Sequence, residues 1–182
     1  MSEYEQGLCE LVVDYQNYCS GRDLLPDDDL MYAVPCGETH ELNFKYDLYY
    51  HSKSRGHQKH DYVGIYHDMS IRGIGKLQHT VHADLVNGEL EGQGVNQLSR
   101  EERERILGAM EDTPEMVGYS IEQDLEFLLV DELHETDFQE ESKYGMRGPQ
   151  YFNLREHLEV GETESLPRPE EIARQLEFAE WK

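Results

Sequence analysis

Apolar and polar residues alternate most cleanly along Asp61 to Val81, DYVGIYHDMSIRGIGKLQHTV, and the rest of the chain is arranged around that stretch. Val63 and Ile65 share one face of a strand predicted from Tyr62 to Tyr66. His67 to Ser70 makes a polar reversal, and a second strand runs from Ile71 to Val81, extending at most to Val86. Ile71, Gly73, Gly75 and Leu77 keep its phase, while Ile74 breaks it beside two glycines, as at a bulge or a close backbone approach.

Before this hairpin, Leu8, Leu11, Val12, Tyr15 and Cys19 have the spacing of an amphipathic helix over residues 3–20, with a strand as the competitor because of Val12 and Val13. GRDLLPDDD is a loop. Leu30 to Val34 reads as a strand closed by Pro35, and Leu42 to Tyr50 as a longer one with Leu42, Phe44, Tyr46 and Leu48 on one face. HSKSRGHQKH, residues 51–60, has no periodicity and no acid and is expected to be an exposed loop.

After the hairpin, NGELEGQGVNQ is a glycine-rich connection. Ser99 with Glu102 forms a capping box for a helix from Arg100 to Met110, followed by a turn at Asp112 to Glu115. Leu125 to Val130 is a buried strand, residues 135–150 a charged loop, and Tyr151 to Leu154 a short strand that passes into a helical turn at His157. Gly161 to Pro169 is a linker, and Pro169 opens a terminal helix to Ala179 with Ile172, Leu176 and Ala179 on one face. Strands with inserted rather than alternating helices give an α+β fold with a mostly antiparallel sheet. It is one domain: 1–29 a helix and loop, 30–160 the core, 161–182 the linker and last helix.

Composition changes this picture in two ways. Hydrophobic residues make up 37% of the 182 and no apolar run is long enough to cross a bilayer; the acidic N-terminus does not resemble a secretory leader, and Cys9, Cys19 and Cys36 form no CxxC motif, so a reducing, cytoplasmic setting is expected. The net charge of −23 fits a surface adapted to concentrated salt, a nucleic-acid mimic or acidic surface for a basic partner, or acidity without special meaning.

Against that background the positive charge is unevenly spread. Lys45, Lys53, Arg55, Lys59, Arg72 and Lys76 face only Asp47, Asp61 and Asp68 between residues 45 and 82, and Lys143, Arg147 and Arg155 form a second basic group, with no acid over 142–154. Tyr49, Tyr50, Tyr62 and Tyr66 flank the first group, and aromatic faces beside cations can stack and hold unpaired bases. The competing reading is that these cations pair with some of the 39 carboxylates.

Seven histidines fall between residues 40 and 82, but His57/His60 and His79/His82 are each three apart, which on a strand puts them on opposite faces, and Cys36 with His40 lacks a second ligand pair. No metal and no cofactor is expected on this basis. Asp131, Glu132, Glu140, Glu141 and Lys143 can be arranged as a nuclease site only by choosing among many acids, and no GxSxG, phosphate-loop or HExxH motif is present.

Two blocks carry a resemblance. YVGIYHDMSIRGIGKLQHTV and GMRGPQYFNL, Gly145 to Leu154, are similar to blocks of PUA-like domains of the EVE and ASCH kind, over about Asp61 to Leu154. The resemblance implies a small twisted β-barrel with peripheral helices, whose relatives often bind RNA or DNA, some receiving a modified base in an aromatic pocket. The chain departs from that pattern in having only Trp181, beside the C-terminus, where relatives line the pocket with tryptophan. The expectation is a non-catalytic domain for a nucleic acid or nucleotide-like anion. Arg72, Lys76, Lys143 and Arg147 would hold phosphates, Lys53 and Arg55 would add charge, and Tyr62 or Tyr66 would stack on a base. The alternatives are a metal-dependent nuclease or other hydrolase, and an acidic interaction protein or DNA mimic.

Overall fold

The computed structural model describes residues 29–118, 121, 123–161 and 164–181; the expected N-terminal helix, with Cys9 and Cys19, lies outside the described residues. In chain order the elements are β1 (Leu30–Pro35), α1 (His40–Tyr46), β2 (Leu48–Ser52), β3 (Tyr62–His67), β4 (Ser70–Val86), β5 (Glu89–Glu91), α2 (Arg100–Val117), β6 (Leu125–Val130), β7 (His134–Glu140), β8 (Gln150–Asn153), α3 (Leu154–His157), α4 (Pro169–Leu176) and β9 (Glu180–Trp181). The strands form one mixed α+β sheet along the path β2-β6-β4-β3-β1-β8, with β5 and β7 also on β4, and β9 on β7. Among the described residues the parallel pairs are β1–β3 and β7–β9.

The 17-residue β4 is the organising strand, pairing with β3, β5, β6 and β7. Its first part meets β3 and β7, and from Leu77 it crosses to β6. The expected irregularity is there: register shifts fall between Ile65 and Tyr66 on β3 and between Ile71 and Gly73 against β7. Gly75 is also a close approach, since a Cβ there would lie 2.6 Å from Val130 Cγ2 and 2.8 Å from the Glu132 carbonyl oxygen.

The sheet curls without closing. Tyr49 of β2 packs in one apolar cluster with Tyr32 and Val34 of β1, Val63 and Ile65 of β3, and Leu128 and Val130 of β6, although β2 and β1 are separated in the path by three strands. The end strands β2 and β8 are not paired with each other. The opposite faces are covered by α2, through Ile106 and Met110 over Val81 and Phe127, and by α4, through Ile172 and Leu176 over Ile71 and Phe138.

Four expectations are corrected. Residues 42–46, expected as the start of a strand, form a helix, and the strand begins only at Leu48. Asp47 adopts a left-handed C-cap at φ 46°, and the Arg105 guanidinium donates to the carbonyls of Tyr46, Asp47 and Val130, satisfying the negative end of α1. The turn expected at 112–115 is helix, because Pro114 lies in the last turn of α2, Gly118 caps that turn with its N–H on Pro114 O, and Asp112 is tied to α1 by Lys45 and Tyr46. Residues 135–140, expected as loop, belong to β7, whose buried alternation is carried by Thr136 and Phe138. The 51–60 stretch buries His51 and His60. Among the described residues no helix is long and apolar enough to cross a membrane.

Candidate metal centre

Sheet register assembles a group of side chains that no sequence spacing contains. Glu126 on β6 lies directly opposite His51 on β2 and directly opposite His82 on β4. On β6, Glu126 shares the inner face with Leu128 and Val130, so its carboxylate stands at one end of the apolar hollow. A fourth group arrives from the loop. Arg55 N–H bonds Ser52 O to make a tight turn, Gly56 takes φ 61°, and the chain doubles back so that His57 reaches Glu126. The loop is pinned by the Tyr151 hydroxyl, which accepts from Gln58 N–H at 2.8 Å, and by the Tyr32 ring, packed 5.7 Å from His57 and 5.0 Å from His60.

The hydrogen bonds fix which ring nitrogens are free. His51 Nδ1 lies 2.8 Å from Ser52 O, while His57 Nδ1 and His60 Nδ1 lie 3.1 and 2.9 Å from Gln58 O. A carbonyl oxygen can only accept, so each Nδ1 carries a hydrogen, and in each neutral ring Nε2 is a bare lone pair. His57 Nε2 is 2.8 Å and His51 Nε2 3.4 Å from Glu126 Oε1. His51 Nε2 and His60 Nε2 are buried and have no hydrogen-bond partner. On the other carboxylate oxygen the polarity is normal: His82 Nε2 lies 2.6 Å from Oε2 as its donor.

A buried carboxylate therefore faces the unpartnered Nε2 of His51, while His57 Nε2 is in hydrogen-bond contact with its Oε1. Burial pushes His51 and His60 below the usual imidazole range, which opposes the protonation that would turn these contacts into ion pairs. A cation shared by the three groups resolves the conflict. Among the described residues, His51, His57 and Glu126 are the group whose ligand atoms all lie within 4.8 Å of one another. Tetrahedral zinc with bonds of 2.0–2.1 Å sets its ligand atoms about 3.3 Å apart. The 3.4 Å from His51 Nε2 to Oε1 already fits that spacing, and the 2.8 Å contact must open slightly. Nδ1 bonded to backbone carbonyls is the outer support that metal-binding imidazoles require.

His51 also forms part of the wall of an open cleft of about 390 Å³, lined by Pro35, Thr39, Tyr49, Tyr50, Ser52 and Arg55 among others. Arg55 Nη1 donates to the Tyr49 hydroxyl at 2.9 Å. Burial raises the Tyr49 phenol well above its usual range, so it stays neutral.

The residues nominated from sequence for an anion are spread over the fold. Lys53 pairs with Asp124 at 2.8 Å, and Arg55 sits at the cleft. Tyr62 and Tyr66 are core residues rather than exposed stacking platforms; Tyr66 donates to Glu140 and accepts from Met146 N–H. Arg72 is bound to Asp137 at 2.8 Å and to the carbonyls of His67 and Asp68, in a cleft that also holds Glu41 and Glu135. Lys76 is exposed opposite Tyr62, at the far end of β3 from the hairpin tip. Lys143 and Arg147 are exposed on the segment that docks on that tip through Met146, with Arg147 over the Tyr144 ring. These eight positions do not share one hollow. His79 and His82 do lie on opposite faces, as expected, reaching Glu102 of α2 and Glu126 of β6.

His51, His57 and Glu126 were not nominated from sequence. The usable signal was the acid-free, histidine-rich run over 51–60 beside a strand, LEFLLV, whose single charged residue interrupts five apolar ones. No family model, no curated protein and no solved structure matches the chain.

Proposed function

We propose that this chain is a metal-binding protein that holds one divalent transition ion through His51 Nε2, His57 Nε2 and Glu126 Oε1. The observation that supports the reading is the pair of Nε2 atoms, of His51 and His57, turned toward one oxygen of a buried carboxylate, with each matching Nδ1 at a backbone carbonyl. Two imidazoles and a carboxylate suit zinc and its neighbours rather than calcium or magnesium, which prefer oxygen ligands. Three protein ligands are also the number found in catalytic zinc sites, whereas structural sites close with four. Such an ion supplies Lewis acidity and lowers the pKa of a bound water. Of the functions left open by the sequence, a metal-dependent hydrolase is therefore favoured over a non-catalytic nucleic-acid domain, whose support is the PUA-like sequence blocks.

The test is metal binding by the full chain after chelator treatment. Cobalt(II) should bind at one ion per chain and develop the visible absorption of a four- or five-coordinate ion, zinc should displace it, and magnesium should not. His57→Ala and His51→Ala should each abolish the spectrum. Cobalt uptake that is weak, multiple and indifferent to both substitutions would mean that the acidic surface alone binds it, and would overturn the reading.

A further inference from the structure

We propose that the cleft beside the metal centre binds an oxoanion, a phosphate or carboxylate group of the ligand, between Arg55 and the bound ion; this rests on the metal reading above. Two independent observations support it. First, among the described residues the lining of the cleft contains no acid. Its lining is Pro35, Cys36, Thr39, Tyr49, Tyr50, His51, Ser52, Arg55, Ile121 and Leu125, in a chain with 39 acidic residues. Three other clefts contain carboxylates: Glu41, Asp68 and Glu135 beside Arg72; Glu132, Glu135, Asp137, Glu170 and Glu177 beside α4; Glu141 and Glu180 beside Trp181.

Second, among the described residues no carboxylate pairs with Arg55. Its guanidinium is held by a neutral phenol, the Tyr49 hydroxyl at 2.9 Å, where Arg72 has Asp137 and Arg155 has Asp29. The guanidinium also reaches the Tyr32 hydroxyl, a second neutral phenol, and its remaining donors can meet a phosphate or carboxylate. Arg55 and His51 line the same cleft, and His51 belongs to the metal-binding group, so an anion on Arg55 would lie against the wall that carries one of the ion's ligands. The Thr39 and Ser52 side chains add hydroxyls to the same wall. In a molecule with a net charge of −23, this is a local reversal of sign suited to a small anion, since a long polyanion would also meet the repelling surface.

The experiment titrates zinc-loaded full-length protein with inorganic phosphate and, separately, with acetate, following heat of binding and the cobalt spectrum of the cobalt-loaded form. Binding of either anion is expected, with a perturbed cobalt spectrum, and the tighter of the two identifies the group. Arg55→Ala should weaken it roughly ten- to hundredfold, the cost of losing charged hydrogen bonds, while zinc affinity and melting temperature stay unchanged. Arg55→Lys should recover only part of the loss. If zinc binds as expected but neither anion does, or Arg55→Ala binds as well as the parent, the oxoanion inference is overturned and the metal reading stands. Failure of zinc itself to bind overturns both.

Discussion

Replacing Glu126 with glutamine should reverse its effect on stability according to whether metal is present. Without metal, Glu126 Oε1 faces His57 Nε2 at 2.8 Å and His51 Nε2 at 3.4 Å, each a lone pair when the ring is neutral with its hydrogen on Nδ1, while Oε2 accepts from His82 at 2.6 Å. A glutamine in the same rotamer turns its amide NH₂ toward His57 and keeps its carbonyl for His82. One acceptor–acceptor contact then becomes a hydrogen bond worth about 0.5–1.5 kcal/mol. A buried carboxylate without a formal countercharge also carries a desolvation cost, which the neutral amide lowers. The metal-free Glu126→Gln protein is therefore expected to be about 1–3 kcal/mol more stable than the parent, and at roughly 2–4 °C per kcal/mol for a chain of this size the melting temperature should rise by several degrees.

With metal the order inverts. An ion at a hundredfold its dissociation constant stabilises the parent by about 2.7 kcal/mol, and the variant, having lost the only anionic ligand, forgoes most of that. Thermal unfolding followed by circular dichroism, in chelator and again in zinc, reads both signs. A variant that melts below the parent in both conditions would refute the reasoning, since it would mean that the imidazoles are charged and that Glu126 is the centre of an ordinary ion-pair network.

Two further expectations concern the frame that carries the site. Gly75→Ala should destabilise the fold by about 1–3 kcal/mol, because its Cβ would fall within 2.8 Å of both Val130 and the Glu132 carbonyl where β4 crosses to β6; denaturant unfolding measures this, and a loss near zero would show that the crossing relaxes. Asp137 is held below the usual carboxylate range by the Ser70 hydroxyl, then by Gln139, with Arg72 adding to both. Its folded pKa being the lower, the stability it contributes is complete above about 3.8 and is lost as pH falls through the folded value, so the stability gap between the parent and Asp137→Asn should close on acidification below pH 4. A gap that widens there would contradict the assignment.

The elements legible in the sequence were those in which one periodicity had no rival. The β3–β4 reversal, β6 and the capped start of α2 belong to that class, and the structure reproduces them. Residues 42–48 are the opposite case. Leu42, Phe44, Tyr46 and Leu48 alternate as a strand would, yet the first three lie on α1 and only Leu48 on β2. What decides the matter is tertiary: Asn43 is buried with its amide on Leu48 O, and Arg105, almost sixty residues away, closes the helix end. Region 134–140 hid its strand because only Phe138 of the inward-facing pair is apolar.

The site was illegible for a related reason. A rule of spacing correctly separates His79 from His82, because both are on one extended strand, and it fails for His57 and His60, because a loop that turns at Gly56 obeys no strand period and brings their rings to 4.8 Å. The remaining partners come from register. His51, Glu126 and His82 stand in a row across β2, β6 and β4, a relation fixed by two hydrogen-bonded ladders whose strands lie 44 to 75 positions apart in the chain. A slip of one residue in either ladder would turn Glu126 away from one histidine and toward the α2 side of the sheet, where Phe127 and Leu129 now pack. The chemistry of this protein thus depends on strand pairing as much as on residue identity, which is why the charge pattern of the sequence drew attention to the exposed cations instead of to the buried carboxylate between two histidines.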